Sequence, residues 1–482
     1  MVQPLRMRRS LSSLLSNFKS SFFKLDNEEC RHFAISTKIL SDSRTLPHHD
    51  KYNSSIDTRA ESDGNANVDI LALRALRNQI ITKKPLSKNK QKELSRKSLQ
   101  YEAILNSFSE FYSRQYGKER WKSLFEAMCK PAKHVAMVNN FASSESIERF
   151  LNSITQASIV TSDHNSIQDQ SPKKEIHFEK IKFVDIPCYS ISERFSPPFK
   201  DEKGVMTYYL LDAASVMVVK ALDVKPTDNI LDLCAAPGGK SLAILQHLLL
   251  SSKVRRTQDV NDTGDGAPDI GHLTSNELSP TRRRRLKQVI TDYVPSSYQH
   301  KIKIASEFQS FSMSAYDKIL VDAPCSSERH LLSDPTEFSK WKVSRTKNNA
   351  KKQYKMLLDA VKGLHIGGIL VYATCSISKL ENDEVVKRLL ENSWVPLEEV
   401  GQNFHWEIGE KTEKGWIVLP DKCDGWGPLY FSVLKRVGDG EFRRKELTKF
   451  NRKAKYETTR NLHEDTDEEF DDYNADTFEH IP

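Results

Sequence analysis

The sequence predicts an α/β protein built on a doubly wound, mostly parallel sheet with an antiparallel edge pair, preceded by a small N-terminal helical region. Three observations carry this. The glycine-rich turn Ala236-Pro-Gly-Gly-Lys240 lies between a short apolar run, Asn229–Leu233, and a helical pattern, Ser241–Gln246, which is the strand-turn-helix that opens a nucleotide-binding sheet. Strand and helix signals then alternate down the chain, as parallel crossover units require. Two cysteines, Cys325 and Cys375, each stand just beyond one of those strand signals.

Taken in order, residues 1–30 read as a mitochondrial transit peptide. Arg6, Arg8, Arg9, Lys19 and Lys24 precede the first acidic residue, Asp26, and Leu11, Leu14, Leu15, Phe18, Phe22 and Phe23 gather on one side of a helix without forming a continuous apolar run. Residues 31–96 are polar and weakly periodic, a largely disordered linker that ends in a basic stripe including Lys83, Lys84, Lys88, Lys90, Lys92 and Arg96. From 97 to about 155, Leu99, Ile104, Leu105, Phe108, Phe111, Tyr112, Tyr116, Trp121, Leu124, Phe125 and Met128 recur at helical spacing. Aromatics at that spacing predict core packing rather than base stacking. A polar surface loop follows over 156–180, then a β-rich connector to 199, so that 97–199 forms the helical region and connector.

The remaining domain is predicted over 200–437. Tyr208–Met217 reads as a helix packed beside the sheet. Strand signals lie near 229–234, 272–277, 301–305, 316–322 and 367–374, and helix signals near 239–250, 280–293, 346–365 and 380–392. Residues 251–270 predict an exposed, disordered insertion, since long structureless connections are rare inside a compact domain. Trp416–Leu419 and Pro428–Leu434 predict the antiparallel edge pair, and 438–482 a charged, acidic, disordered tail.

The charge distribution bears on partners. The formal net charge is +7, but residues 461–482 contain nine acidic side chains and no Lys or Arg, so residues 1–460 carry 72 minus 56, or +16. Such an excess suits a polyanion whose phosphates it neutralises. Seven widely spaced cysteines without a Cys-x-x-Cys pair or a His cluster argue for a reducing compartment and against a metal site or disulfide framework. No apolar stretch reaches the ~20 residues of a membrane span.

The chemistry concentrates at strand ends. The turn offers backbone approach, N–H groups at a helix start and the Lys240 cation, fit for a carboxylate-bearing nucleotide-like cofactor such as S-adenosylmethionine. Glu277 ends the second strand signal, where an acidic side chain accepts ribose hydroxyls. Arg282 opens the next helix beside cofactor or substrate phosphate. Asp322 closes the 316–322 strand at the sheet edge where ligands bind. Cytosine C5 becomes nucleophilic when a thiolate adds transiently to C6, and Cys325 and Cys375 both stand where that requires, whereas Cys129, Cys188 and Cys234 read as inert.

Ala236-Pro-Gly-Gly-Lys240, Asp322-Ala-Pro-Cys-Ser326 and Thr374-Cys-Ser376 together resemble the NSUN (Nop/Sun-domain) family of RNA cytosine-5 methyltransferases. The resemblance covers roughly 100–436 and implies the class I S-adenosylmethionine-dependent methyltransferase fold, with Cys375 as nucleophile and Cys325 assisting resolution and product release. It implies that Asp322 holds the cofactor and polarises the target base, and that Ala236, Pro237, Gly238, Gly239, Lys240, Glu277 and Arg282 line the cofactor. Met137–Ala142, Gly204–Ser215, Glu328-Arg-His330 and Gly427–Phe431 are most similar to the mitochondrial ribosomal-RNA branch. That branch implies mitochondrial ribosomal RNA as substrate, the mitochondrial matrix as location and an mTERF-family helical-repeat partner that supplies RNA affinity. A mitochondrial transfer-RNA methyltransferase and a ribosome-assembly scaffold are the competing readings. One departure stands out: after the third strand the family has an Asp-Gly at the adenine end of the cofactor, and this chain reads Ala305-Ser-Glu-Phe-Gln309, with Glu307 the nearest substitute.

Overall fold

The computed structural model describes residues 88–159, 178–192, 194–258, 271–306 and 314–439. The transit peptide, the linker up to residue 87, most of the 156–180 loop, residues 259–270, Glu307 and the acidic tail from 440 lie outside the described residues.

The centre of the main sheet is assembled from apolar runs that are buried on both faces. Strands β5 (Ile230–Asp232), β6 (Leu273–Asn276), β7 (Ile302–Ala305), β8 (Tyr316–Asp322) and β9 (Leu364–Thr374) run parallel, in the order β7-β6-β5-β8-β9. Leu231, Ile319 and Leu370 are fully buried side by side, and each such side chain contributes about 1.5 to 3 kcal/mol by leaving water. Strand β13 (Leu429–Arg436) pairs antiparallel with β9, and β12 (Trp416–Val418), β11 (Glu410–Lys411) and β10 (Leu397–Glu399) extend that flank. The predicted pair of β12 and β13 forms, but β13 is internal because β9 takes its other side.

The chain reverses direction across the sheet between β5 and β8. Ligands of open α/β sheets bind at such a switch point, beyond the carboxyl ends of the strands. Helix α5 (Gly239–Gln258) leaves the end of β5, α6 (Pro280–Tyr293) that of β6, α9 (Val343–Ala360) precedes β9 and α10 (Asp383–Asn392) follows it. Ser279 caps α6, accepting from Arg282 N–H, and Pro280 occupies its first turn. Helix α5 continues to Gln258, eight residues into the segment predicted as an insertion.

N-terminal to this sheet, α1 (Lys88–Tyr116) and α2 (Lys118–Met128) form the predicted helical pair, with α1 starting nine residues earlier than its apolar pattern. Its basic first turns lack the apolar residues that periodicity needs. Phe108 and Tyr112 are fully buried and Leu99 is exposed. Phe108 packs edge-on against Phe338 and Trp341, with ring centroids 5.2 and 5.0 Å away, and Tyr112 stacks on Trp121. These aromatics are core, and they fasten α1 to the segment that follows the Pro-Cys loop.

A second, four-stranded antiparallel sheet has the order β2-β3-β1-β4, from β1 (Val135–Val138), β2 (Phe178–Lys180), β3 (Cys188–Ile191) and β4 (Tyr208–Leu211). Helix α3 (Ser144–Ile159) reaches into the segment read as a loop. The predicted helix Tyr208–Met217 is corrected: its first four residues are strand β4, and helix α4 (Ala213–Leu222) begins only after Asp212. Asp212 Oδ1 accepts from Ala214 N–H at 2.8 Å, so a capping residue separates two apolar runs that read as one. The fully buried face of α4 then lies against α5 and the β9–β13 side of the sheet.

Candidate active site

Four chain segments meet at the carboxyl edge of β5, β8 and β9. The turn after β5 brings Gly239 so close to β4 that a Cβ there would stand 2.7 Å from Tyr209 Cε1, and Gly238 adopts φ +122. Lys240, the next residue, donates to Asp322 Oδ2 at 2.7 Å and to Ser215 Oγ of α4 at 3.2 Å. Burial works against the Lys240 ammonium, but Asp322, Asp232 and Cys375 outweigh it and raise its pKa. Arg282 reaches back from α6, donating to the Ala236 carbonyl at 2.8 Å and pairing with Glu277 at 3.3 Å. Glu277 also accepts from Ser279 N–H. The predicted turn residues, Glu277, Arg282 and Asp322 therefore form one connected group.

The donor set fits a zwitterionic sulfonium cofactor. The α5 N-terminus presents N–H groups suited to a carboxylate, Asp322 and Asp232 are acidic groups suited to cationic centres, and Glu277 suits ribose hydroxyls. Among the described residues, the buried Asp232 Oδ1 and Asn276 Oδ1 have no hydrogen-bond partner in the protein. Burial, partly offset by the hydrogen bond from Ser241, raises Asp232 to about 7.

The two cysteines converge. Cys325, in the loop after β8, and Cys375, in the loop after β9, are 50 residues apart in sequence, and their Sγ atoms lie 3.2 Å apart. Ser327 adopts a left-handed backbone, φ 48, and its Oγ lies 3.1 Å from Cys375 Sγ and 3.5 Å from Cys325 Sγ. The hydrogen bond to Cys375, reinforced by burial, pushes the Cys325 thiol well above its ordinary range, so Cys325 keeps its proton. Cys325 is buried and Cys375 half-buried. Burial likewise raises Cys234, whose sulfur sits 3.5 Å from Met356 Sδ.

Several participants carry no signal that spacing alone exposes. From within apolar runs, Ser215 accepts from Lys240 and Asp232 accepts from Ser241 at the start of α5. Ser327, Glu328 and Glu381 surround the cysteine loops; Glu328 is marked in the sequence only as the start of Glu328-Arg-His330, and Ser327 and Glu381 only by proximity to Cys325 and Cys375.

Residues 267–434 match the family model described as 16S rRNA methyltransferase RsmB/F. The 5-cytosine rRNA methyltransferase NSUN4 of Mus musculus is 30% identical over 361 residues, covering 69% of this chain and 88% of the relative. The chain belongs to the NSUN-type, RsmB/F family of RNA cytosine-5 methyltransferases. The mitochondrial tRNA (cytosine(34)-C(5))-methyltransferase of Mus musculus is 29% identical, covering 70% of this chain and 93% of that relative. Among solved structures, NSun6 from Pyrococcus horikoshii with SFG shares the fold with a TM-score of 0.51 at 18% identity, covering 69% of this chain and 98% of that one. A methyltransferase homologue from the same organism has a TM-score of 0.50 at 19% identity, with 70% and 98% covered. This NSUN-type chain is accordingly an S-adenosylmethionine-dependent enzyme with the class I methyltransferase fold.

Proposed function

We propose that the chain methylates C5 of a cytosine in mitochondrial small-subunit ribosomal RNA through a covalent adduct between Cys375 and C6. The observation that carries this reading is the 3.2 Å approach of Cys325 and Cys375 beside the Lys240–Asp322 pair. In the reaction, Cys375 adds as a thiolate, forming an S–C6 bond and moving the ring's electron pair onto C5. S-adenosylmethionine supplies the methyl group that C5 takes up. A base then removes the C5 proton, the C5–C6 double bond re-forms, and Cys375 leaves as thiolate. Cys325, held protonated next to Cys375, assists that release. Asp322 holds the cofactor and polarises the target base, and the 236–240 turn with Glu277 and Arg282 lines the cofactor. The cytosine must leave its stack, at a cost of a few kcal/mol that RNA contacts offset.

Ribosomal RNA as substrate rests on similarity to relatives named for it in mouse, Bos taurus and Xenopus laevis. A mitochondrial location is supported by relatives whose names carry that word, and the proposal extends to the matrix, to a role in mitoribosome assembly and to an mTERF-family partner that strengthens RNA binding. A mitochondrial transfer-RNA substrate is the second reading, favoured by relatives named for cytosine 34 of tRNA that match over the same share of the chain. Methyl transfer from labelled S-adenosylmethionine to mitochondrial ribosomal and transfer RNA distinguishes the two. Cys375→Ala is expected to be inactive, and Cys325→Ala to accumulate a protein–RNA adduct on a denaturing gel; full activity in Cys375→Ala would refute the mechanism.

A further inference from the structure

The two cysteine loops leave the ends of neighbouring strands, and the Ala323 N–H to Ala373 carbonyl bond of 2.9 Å joins the strands just before the cysteines. Beyond it the backbone ladder no longer sets the spacing of the loops. A reciprocal pair of buried carboxylates replaces it. Glu328, three residues after Cys325, accepts from Ser376 Oγ at 3.0 Å and from Ile377 N–H at 3.1 Å, the two residues that follow Cys375. Glu381, in the loop of Cys375, accepts from Ser326 N–H at 3.0 Å and from Ser326 Oγ, the residue that follows Cys325. Each loop thus lends one carboxylate to the residues just past the other loop's cysteine.

The rest of the structure supports this arrangement from both sides. Tyr112 of α1 donates to Glu328 at 2.6 Å. Gln115 and Tyr116 of α1 both donate to the Ile377 carbonyl at 2.7 Å. On the opposite side, Gln353 of α9 donates to Glu381 at 2.8 Å and to the Pro324 carbonyl at 2.9 Å. Glu328 and Glu381 are buried and lie outside the cofactor turn, and neither is hydrogen-bonded to a cysteine sulfur.

We infer that Glu328 and Glu381 are positioning residues that clamp the two cysteine loops together and so set the approach of Cys325 to Cys375. The inference rests on the catalytic roles proposed above for the two cysteines. It requires that losing a strap slow the chemical step while sparing cofactor binding, because a nucleophile displaced by about 1 Å loses up to ~100-fold in rate.

The test uses the full chain with Glu328→Ala, Glu381→Ala and Glu328→Gln. Glu328→Ala and Glu381→Ala are expected to lower kcat by about 10- to 100-fold, with the cofactor Kd and the RNA KM within about twofold of wild type. Glu328→Gln keeps a carbonyl oxygen that accepts from Ile377 N–H, and is expected to restore most of kcat. An RNA-free readout is the rate at which diamide, a thiol oxidant, joins Cys325 to Cys375, followed by mass spectrometry of the linked peptides. That rate is expected to fall in both Ala variants and recover in Glu328→Gln.

Wild-type kcat and crosslinking in both Ala variants would overturn the clamp. So would parallel loss of cofactor affinity and kcat in Glu328→Gln as well as Glu328→Ala, which would make Glu328 a general folding residue. Failure of the catalytic reading itself looks different: Cys375→Ala would stay active while the crosslinking rates still followed the straps.

Discussion

Glu381 holds a proton that an exposed carboxylate loses in mild acid. Burial first, and then repulsion from Glu328, raise it from 4.5 to about 8, and burial raises Glu328 as well. Asp232, also raised by burial, goes from 3.8 to about 7. In the unfolded chain these carboxylates ionise near their ordinary values, so between those values and the raised ones the folded state binds more protons. The stability this confers is fully present below the unfolded pKa and is lost progressively as pH rises, completely so by about 7 for Asp232 and about 8 for Glu381. Burial lowers His134 from 6.5, which adds stability as pH rises toward 6.5, so the carboxylate loss is cleanest above that value. The thermal midpoint is therefore expected to fall between about pH 6.5 and pH 8 and to level off above it, and Glu381→Gln, whose side chain does not titrate, to fall less. Differential scanning calorimetry across that range checks this, and an unchanged slope in Glu381→Gln would contradict the assignment. Glu328, Tyr112, Tyr372 and Cys325 lie around Glu381; burial keeps both tyrosines protonated throughout, and the hydrogen bond to Cys375, reinforced by burial, does the same for Cys325.

At the scale of elements, the cofactor turn depends on how closely β4 approaches the start of α5. Tyr209 lies against Gly239, so Gly239→Ala forces a ring that packs on Tyr293, 5.2 Å between centroids, to move. Overpacking of this kind costs about 1 to 3 kcal/mol, and because the displaced backbone carries the α5 N-terminus, cofactor affinity is expected to fall with stability. Titration calorimetry with S-adenosylmethionine checks it; wild-type affinity would mean that the turn tolerates the shift. This contact also shows where local sequence signals end. The turn, β5, α6 and β8 stand within two residues of their predicted positions because each is written in one contiguous run with its own boundary residues, such as Ser279 and Pro280 for α6. Strand β4 was illegible because Tyr208–Leu211 and Ala213–Met217 form a continuous apolar pattern, divided only by Asp212. The two cysteines could be placed at strand ends from sequence, but the straps that join them link residues 48 to 55 positions apart, which no local pattern encodes. The order of the second sheet was hidden for the same reason, since its strands are three or four residues long and β1 pairs with β3 and β4 across long connections.

For the whole molecule, fold and charge divide the work of recognition. The switch point between β5 and β8 gathers the turn, Asp322 and the cysteine loops at one edge of the sheet, and under the proposed function this geometry governs cofactor affinity and the chemical step. It does so through short contacts that are partly shielded from solvent and therefore weakly screened. Under the same proposal, RNA affinity draws on a different source, the excess of +16 over residues 1–460, acting through phosphate neutralisation and counterion release. The two affinities should therefore separate under salt. Raising monovalent salt from about 50 to about 200 mM is expected to weaken RNA binding by roughly tenfold or more, depending on how many phosphates are neutralised, while the cofactor Kd changes little. Filter binding of labelled RNA and calorimetric titration of the cofactor at matched salt concentrations read the two slopes directly. A flat RNA slope would mean that base contacts, not backbone charge, dominate RNA binding, and an equally steep cofactor slope would mean that the Lys240–Asp322 pair and the Glu277–Arg282 pair are exposed to ions despite their partial burial. Because the two slopes report on different surfaces, a partner protein that adds RNA affinity should steepen the first and leave the second unchanged.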